Sequence, residues 1–353
     1  MYGPARISAD GRYVAWTSHA TNYVDIGGDP DGPVGSIFVR DRTFGRTTRI
    51  PVTPAYEGAG THIEKIDFQF TEEGQFQVAF ETSAALVRDD TNGKKDVYVV
   101  TADPGVFTLG GNRHAFRQHS PEHAGDKALW SVELVSVGPN GALGDADSYG
   151  AHILQPSTSR AAAEFGGRPL VVFTSNARTL STREGDLDSD VFVQAFDASW
   201  TGLGPLPPRQ LTSNLSPQEK SRCTAGDAEN LASGDIGIAM TCRGPLVRED
   251  VNHIADVYVQ TLAGAPVLAS RPDPEMTPKS WTHGPPKKQL GSAPSSQPNL
   301  SGDGCHVAFA SEARNLSNEY DNDPHTEIFS RYNPFGWPKG DTRIWCGWAP
   351  RDP

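Results

Sequence analysis

Carboxylate and amide side chains recur in short stretches of this chain, at a spacing that can bind a hard cation. In Asp90-Thr91-Asn92-Gly93, followed by Asp96, oxygen ligands alternate as they do at the beginning of a calcium-binding loop. None of the stretches completes that pattern with a terminal bidentate Glu. Asp and Asn also stabilise loops by bonding to backbone amides, so a purely structural role and calcium binding both stay open.

The acidic stretches have the same place in each of six successive segments, between two apolar phrases. Their members are Asp29, Asp31, Asp90, Asn92, Asp96, Asp145, Asp147, Asp186, Asp188, Asp190, Asp250, Asn252, Asp256, Asp321, Asp323 and Glu327. We predict that these residues form the binding face of the protein. No cofactor is required by the pattern, and calcium at Asp90, Asn92 and Asp96 is the one that it allows.

A second group of potential ligands is the imidazoles of His114, His119 and His123, next to Glu122. Such a set could bind a transition metal, but the spacing matches no standard zinc pattern. A histidine-rich linker is the alternative interpretation. The chain contains no G-x-S-x-G nucleophile motif, and the pattern assigns no catalytic residue.

Four cysteines stand at Cys223, Cys242, Cys305 and Cys346, and none forms a C-x-x-C pair. Zinc-ribbon and thioredoxin sites are therefore excluded by spacing. Sequential pairing predicts the disulfides Cys223–Cys242 and Cys305–Cys346, and disulfides favour a secreted or periplasmic location. Four buried free thiols are the alternative.

Bulk composition limits the partners. The net charge of -12, with Lys and Arg scattered singly over 353 residues, gives no basic patch for nucleic acid. No apolar run approaches the ~20 residues of a membrane-spanning helix. We expect a turn-rich monomer that binds a protein, a small molecule or a glycan.

The elements that position these residues are short strands. An apolar phrase that ends on a hydroxyl or thiol recurs, and each copy is followed by an acidic stretch and a second apolar phrase. The copies of the first phrase are Val14–Ser18, Val78–Ser83, Val171–Ser175, Ile238–Cys242 and Val307–Ser311. In the first unit, Ala5–Ser8, Tyr13–Ser18, Ile37–Asp41 and Thr47–Val52 are predicted strands, with Asp10-Gly11 as a hairpin turn.

Such a period of strand phrases predicts an all-β fold, a single β-propeller of four-stranded antiparallel blades over residues 1–353. The distance between Val78 and Val171 is too long for one unit, and Ala124–Ser131 within it resembles a degenerate copy. We therefore expect six blades, at about 4–55, 61–110, 115–158, 159–213, 216–270 and 295–348. Five blades with a long insertion are the alternative.

The phrases Ser8–Trp16 and Leu300–Phe309 resemble the S-x-D-G-x-x-[VI]-A-[FW] signature of TolB-like propellers, also called the PD40 or WD40-like repeat. The resemblance spans about residues 4 to 332 and implies the propeller fold. It also implies that proteins or small ligands bind on one face, around the central channel. Because the signature residues shape the hairpin and the core, the resemblance indicates little about activity.

Two functions are consistent with the sequence. The first is a non-catalytic binding or scaffold propeller that engages a protein or small ligand through its acidic loop face. The alternative is a carbohydrate-active enzyme, a metal-assisted polysaccharide lyase or a glycosidase, on a propeller scaffold. An enzyme requires acidic groups that converge on one point, whereas a binding face can spread them along its rim.

Overall fold

The computed structural model describes residues 5–8, 10–20, 23, 36–50, 62–71, 74–102, 130–156, 163–181, 188–197, 205–213, 220–231, 233–272, 290–316 and 325–333. By its internal packing the chain divides into two compact units. The first unit comprises Met1–Gln155, Arg168–Leu187 and Val193–Arg209, and the second comprises Pro156–Gly167, Asp188–Phe192 and Gln210–Pro353.

The described residues form five antiparallel sheets in which the strands are ordered as in the chain. The first sheet contains β1 (Arg6–Ile7), β2 (Tyr13–Ser18), β3 (Ser36–Asp41) and β4 (Arg46–Ile50). The second contains β5 (Ile66–Phe70), β6 (Phe76–Thr82), β7 (Asp96–Ala102) and β8 (Trp130–Leu134). The third contains β9 (Ser148–Leu154), β10 (Leu170–Ser175), β11 (Asp190–Ala195) and β12 (Arg209–Gln210). Short 3-10 turns lie at Pro139–Gly141 and Arg178–Leu180.

The fourth sheet contains β13 (Cys223–Asn230), β14 (Ile236–Cys242), β15 (Asp256–Thr261) and β16 (Val267–Leu268). The fifth contains β17 (Ser295–Leu300), β18 (His306–Ser311) and β19 (Glu327–Tyr332). Four-stranded antiparallel sheets repeated along the chain confirm the predicted all-β fold of propeller blades.

The expectation of six blades is wrong, and five sheets fit the alternative. Trp130, within the supposed degenerate copy, begins β8 and pairs with Ala102 as part of the outer strand of the second sheet. Ser148–Leu154, which follows it, is the first strand of the third sheet. The described part of the long interval therefore contains the last two strands of the second sheet and the first strand of the third.

The hairpin phrase forms the turn that its sequence predicts. Gly11 has a φ of 69°, and the Asp10 carboxylate accepts hydrogen bonds from Ser8 Oγ (2.6 Å) and Arg12 N (3.0 Å). In the fifth sheet Asp303 accepts the same bonds from Ser301 Oγ and Cys305 N. These contacts lower the pKa of both carboxyl groups, beginning with the serine hydroxyl bond.

The middle strands of the sheets form the core. Every residue of β6 and β7 is buried, and Val78, Phe80, Tyr98 and Val100 pack in one cluster with Ile66. Strands that are covered on both faces have continuous apolar sequences, which explains the uninterrupted phrases of the repeat. In the second unit β14, β15, β17 and β18 contribute a corresponding cluster.

A disulfide joins the first two strands of the fourth sheet. Cys223 and Cys242 are directly opposite in β13 and β14, as the sequential pairing predicted. Cys305 is also disulfide-bonded, while Cys346, its predicted partner, lies outside the described residues. None of the helices in the part of the chain that the structure describes is long and apolar enough to cross a membrane.

Candidate active site

Five charged or titratable side chains meet where the first three sheets approach one another in the first unit. They are Arg6 of β1, Lys65 before β5, Asp67 of β5, Glu81 of β6 and His152 of β9. We call this group the inner-strand cluster, because β1, β5 and β9 are each the first strand of their sheet. Propeller sheets use this strand to surround the central axis, where a ligand can be reached from several sheets.

Both carboxyl groups of the cluster are held by backbone amides of β9. Ile153 N donates to Asp67 Oδ2 (3.1 Å), and Gly150 N donates to Glu81 Oε2 (2.9 Å). Ala151 N lies at 3.5 Å from the same Glu81 oxygen. The two acids belong to the second sheet and their donors to the third, so the site is fixed by the contact between two sheets.

A β-bulge in β9 sets the orientation of these amides. The register between β9 and β10 shifts between Val172 and Thr174, opposite His152 and Tyr149. Gly150 lies in this interval and has a φ of 69°, a conformation that L side chains rarely adopt. A bulge turns successive N–H groups to one side of a strand, which accounts for the approach of both Gly150 N and Ala151 N to Glu81.

His152 is the most deeply buried member, with 2% of its side chain exposed. Burial lowers its pKa well below 6.5, and the nearby Lys65 and Arg6 charges lower it further. The imidazole is therefore neutral, and its Nε2 accepts a hydrogen bond from Lys65 Nζ at 2.9 Å. This assigns the proton to Nδ1, which lies 3.7 Å from Asp67 Oδ2.

The two carboxyl groups are harder to ionise than in water. Burial raises the pKa of Asp67 above 3.8, against the opposing charge of Arg6. Burial likewise raises the pKa of Glu81 above 4.5, against the opposing charge of Lys65. Asp67 keeps 21% of its side chain exposed, whereas Glu81 as a residue is only 5% exposed. Acids that are shifted in this way beside cations are typical of general acid–base sites.

Arg6 is held loosely. Its Nε donates to Ile66 O (3.4 Å) and lies 3.8 Å from Asp67 Oδ1, with 31% of the side chain exposed. Among the described residues its terminal amino groups have no hydrogen-bond partner. Arg12, by contrast, makes three hydrogen bonds with Asp41.

The amides that hold the two acids are spaced along one strand. Gly150 and Ile153 are three residues apart in β9, which corresponds to about 10 Å in an extended strand and less across a bulge. Each carboxyl group lies within hydrogen-bond distance of its own amide.

The described residues of the predicted acidic loops are instead bonded to neighbouring side chains and backbone amides. At the start of the third strand of the second, third and fourth sheets, an Asp accepts from a Ser or Thr hydroxyl, which itself accepts the N–H of the next residue. The three Asp–hydroxyl pairs are Asp96 with Ser136 (2.7 Å), Asp190 with Thr212 (2.7 Å) and Asp256 with Ser270 (2.6 Å). Burial raises the pKa of Asp96 and Asp256 to about 6. This pair of hydrogen bonds, from hydroxyl to Asp and from the next N–H to the hydroxyl, which we call the relay, explains why the phrase Asp-Val-Tyr/Phe-Val begins with Asp.

Two further loop carboxylates bind buried tyrosines. Asp90 accepts the hydroxyl hydrogen of Tyr98, and Asp250 accepts that of Tyr258. Burial is the largest cause of the raised pKa of each tyrosine, so both phenols stay neutral. The same contact occurs in both units and closes the loop between the second and third strands.

The remaining predicted loop residues have exposed or half-buried contacts. Asp145 binds Arg178 (2.8 Å), Asp147 accepts from Lys95 N (3.0 Å), and Asp188 binds Arg222 (3.0 Å) and Lys220 (3.4 Å). Asn92 Nδ2 donates to Asp96 (2.8 Å), Asn252 Nδ2 donates to Gly291 O (3.4 Å), and Glu327 is exposed. Asp29, Asp31, Asp186, Asp321, Asp323, His114, His119 and His123 lie outside the described residues.

Within the described ranges no group of three His, Cys, Asp or Glu side chains is arranged to hold a metal ion. Calcium binding at Asp90, Asn92 and Asp96 stays a prediction. Asp90 and Asp96 are buried, and Tyr98, Ser136 and Asn92 already donate hydrogen bonds to them.

Sequence reasoning missed the inner-strand cluster, although two signals were present. Glu81 is an acid inside the apolar phrase Val78–Ser83, and His152 lies inside the apolar run of β9. A titratable residue within an otherwise buried strand needs a partner or a function. Attention to the acidic loops, which are rich in carboxylates, led away from these isolated positions.

No protein-family model matches this chain, and no curated protein matches it. Solved structures do match. An α-L-arabinofuranosidase from Lactobacillus brevis is 13% identical, covers 93% of this chain and 88% of its own, and has a TM-score of 0.40. A Penicillium chrysogenum α-L-arabinanase complexed with arabinobiose is 10% identical, covers 93% and 92%, and has a TM-score of 0.42. An endo-arabinase from Bacteroides thetaiotaomicron is 9% identical, with 95% and 94% covered and a TM-score of 0.40.

These findings correct two predictions. The resemblance to TolB-like propellers is wrong, because no family model matches and the similar structures named above are glycoside hydrolases. The same structures contradict the prediction of a non-catalytic binding or scaffold propeller and favour its alternative. At these identities and TM-scores the similarity carries no conclusion about individual residues or substrates.

Proposed function

We propose that this protein is a glycoside hydrolase whose reaction is performed by Asp67 and Glu81. The observation that carries the proposal is the pair of carboxyl groups, fixed by Ile153 N and Gly150 N on one strand. Glycosidases use two such groups on either side of the scissile bond. The acidic-loop carboxylates that the structure describes supply no comparable pair, because they bind neighbouring hydroxyls, amides or basic side chains.

Glu81 is assigned as the general acid. It is the more buried of the two, and its Oε2 accepts the Gly150 amide hydrogen, which leaves Oε1 to carry the proton. Its raised pKa keeps it protonated at a pH where an exposed Glu would be ionised. In the reaction it gives this proton to the glycosidic oxygen as the bond to the anomeric carbon breaks.

Asp67 is assigned as the general base. It is the more exposed carboxyl and faces Arg6 Nε at 3.8 Å and His152 Nδ1 at 3.7 Å, both of which favour its ionised form. It removes a proton from water as the water oxygen bonds to the anomeric carbon. Lys65 holds the His152 ring through Nε2, so that Nδ1 faces Asp67. The carboxyl groups later exchange protons with solvent, which restores both starting states.

We infer the stereochemistry of the reaction from the spacing of the two amides that hold the acids. Inverting enzymes place their carboxyl groups about 6.5–9.5 Å apart so that a water fits, whereas retaining enzymes place them about 5 Å apart. The span of on the order of 8 to 10 Å along β9 fits inversion.

A location outside the cytoplasm belongs to the same proposal. The Cys223–Cys242 disulfide is typical of secreted or periplasmic proteins, where extracellular glycans are accessible. The monomeric state and the absence of nucleic-acid binding stay predictions.

The proposal is tested by assaying release of reducing ends from a panel of glycans that includes arabinan, xylan and polygalacturonate. D67N and E81Q are expected to lower kcat by about 10²–10⁴-fold, as removal of a general acid or base does. D227N and E133Q are matched controls. Asp227 accepts Leu300 N (2.7 Å) in the second unit as Asp67 accepts Ile153 N, and Glu133 has a raised pKa but lies on β8.

We expect both controls to keep kcat within a few-fold of wild type. Absence of cleavage of every glycan by the wild-type protein would contradict the proposal. Full activity of either D67N or E81Q would contradict the role of that residue.

A further inference from the structure

The terminal amino groups of Arg6, in the inner-strand cluster, have no role in the proposed hydrolysis. Burial favours the uncharged forms of Glu81 and His152, and two cations, Arg6 and Lys65, share the cluster with Asp67. A bound anionic group would meet these cations beside the proposed reaction site, in a chain whose net charge is -12.

Arg6, more than Lys65, is available to such a group. Lys65 Nζ binds His152 at 2.9 Å, whereas the terminal amino groups of Arg6 have no hydrogen-bond partner among the described residues. Arg12, another partly buried arginine next to the first sheet, forms a close pair with Asp41. Arg6 approaches Asp67 only at 3.8 Å, beyond hydrogen-bond distance, and its side chain remains 31% exposed.

The planar shape of the guanidinium group determines which anions Arg6 can bind well. Its terminal N–H groups form a planar fork that matches two oxygens of one carboxylate through two parallel hydrogen bonds. A sugar that carries a carboxylate on its ring would place that group on Arg6 while its glycosidic bond lies between Asp67 and Glu81. Neutral pentoses and hexoses offer nothing to this fork except hydroxyls.

We propose that the site takes an acidic glycan, and that Arg6 binds the carboxylate of a uronic acid residue. This inference rests on the proposed function for the reaction but not for the binding, so the two can be separated by experiment. Lys65 is a positioning residue in this account, since it acts through His152.

The test is isothermal titration of the wild-type protein with a galacturonic acid oligosaccharide and with its fully methyl-esterified form. The two ligands have the same sugar and linkage and differ in the carboxylate charge. We expect the acid to bind at least about tenfold more tightly than the ester, and increasing salt to reduce this difference. Galactose oligosaccharides sulfated at the primary hydroxyl form a third arm, and equal or tighter binding of these would assign the site to sulfate instead and overturn the proposal.

Three variants connect the difference to Arg6. R6Q is expected to weaken binding of the acid by about 10- to 100-fold, the usual cost of removing hydrogen bonds to a charged group, and to leave the ester unchanged. R6K keeps the charge without the fork and is expected to restore only part of the affinity. R178Q is the matched control, because Arg178 is an exposed arginine that pairs with Asp145 in the same unit.

The outcomes separate the two proposals. Equal binding of acid and ester, or equal weakening of both by R6Q, would overturn the assignment of Arg6. Selective binding of the acid without cleavage of any glycan would leave this inference standing and contradict the hydrolase. Cleavage of neutral glycans that depends on Asp67 and Glu81 but not on Arg6 would support the hydrolase and contradict the binding of an acidic glycan by Arg6. Melting temperatures of all variants identify any that do not fold.

Discussion

Replacing Asp256 by Asn is expected to change how the stability of the protein depends on pH. Asp256 is fully buried at the start of β15, where its Oδ1 accepts the Ser270 hydroxyl hydrogen at 2.6 Å. Burial raises its pKa from 3.8 to about 6, against the opposing effects of Ser270 and Asn252. At about 1.36 kcal/mol per pKa unit, this difference corresponds to on the order of 2 to 3 kcal/mol of unfolding free energy.

The sign follows from the order in which the two states ionise. As the pH rises above about 4, the unfolded chain releases this proton first, so the folded state binds more protons and loses stability until the pH passes the folded pKa of about 6. D256N has no proton to release. The free energy of unfolding of D256N relative to wild type should therefore rise by on the order of 2 to 3 kcal/mol between about pH 4 and about pH 8.

Urea unfolding of both proteins at the two pH values, followed by far-ultraviolet circular dichroism, measures this difference. D96N is the matched variant, since Asp96 has the same relay and the same raised pKa. In the wild-type protein Asn92 Nδ2 donates a hydrogen bond to Asp96 Oδ2 at 2.8 Å. In D96N the side-chain amide nitrogen would take the place of this oxygen, so two hydrogen-bond donors would face each other. D96N should show the same pH dependence with lower stability throughout. A D256N difference that is independent of pH would refute the reasoning.

Three further changes have defined outcomes. Gly150→Ala is expected to cost about 1–2 kcal/mol in urea unfolding, because φ is 69° there, and to lower kcat by disturbing the amide that holds Glu81. The double variant C223A/C242A is expected to lose about 3 kcal/mol, since the disulfide closes a loop of sequence separation 19. Tyr258→Phe removes a buried donor and acceptor and is expected to cost about 2–3 kcal/mol, measured in the same way.

The glycine variant has a matched control. Gly93→Ala also places a side chain at positive φ, 65°, at a position that donates no amide to Asp67 or Glu81, so it should lower stability without lowering kcat. An equal loss of kcat in both glycine variants would contradict the role of the bulge. Unchanged unfolding midpoints in C223A/C242A or in Tyr258→Phe would contradict the stabilising roles of the disulfide and of the tyrosine hydroxyl.

The activity itself should depend on pH in both directions. Because Asp67 acts as a base and Glu81 as an acid, kcat/KM should rise as Asp67 ionises and fall as Glu81 loses its proton. Burial raises the pKa of both groups, so the midpoints of the rise and of the fall in kcat/KM are expected at pH values above the ordinary pKa values of 3.8 and 4.5. Midpoints at those ordinary pKa values would contradict the burial of the pair.

The sequence repeat predicted the hairpins and strands of a blade because each of them is specified by residues that are adjacent in the chain. Asp10-Gly11 specifies a hairpin by its own conformation, and the alternating strand of residues 13–18 follows from side-chain pattern alone. The number of blades was harder, because Trp130 and Ser131 resemble the second strand of a unit. Only pairing with Ala102 and Thr101, which is not visible in the sequence, shows that they belong to an outer strand.

The site depends on contacts that no single stretch of sequence contains. Asp67 and Ile153 are joined by a hydrogen bond although they are far apart in the chain, and the amide that Glu81 accepts from belongs to a bulge at Gly150. The acidic loops were visible because their residues are adjacent in sequence. Their hydroxyl partners, Ser136 among them, come from a neighbouring strand and change the meaning of the carboxylates from ligand sites to internal hydrogen-bond acceptors.

The central claim is that Asp67 and Glu81, whose carboxyl groups accept hydrogen bonds from amides of β9, act as general base and general acid in the hydrolysis of a glycosidic bond. Time-resolved proton NMR of the glycan that the wild-type protein cleaves, compared with D67N and E81Q, tests it most directly. The account predicts that the first anomeric signal to appear belongs to the product of inverted configuration, and that neither variant produces it at a comparable rate. A first product of retained configuration, or the same product at the wild-type rate from either variant, would contradict the account.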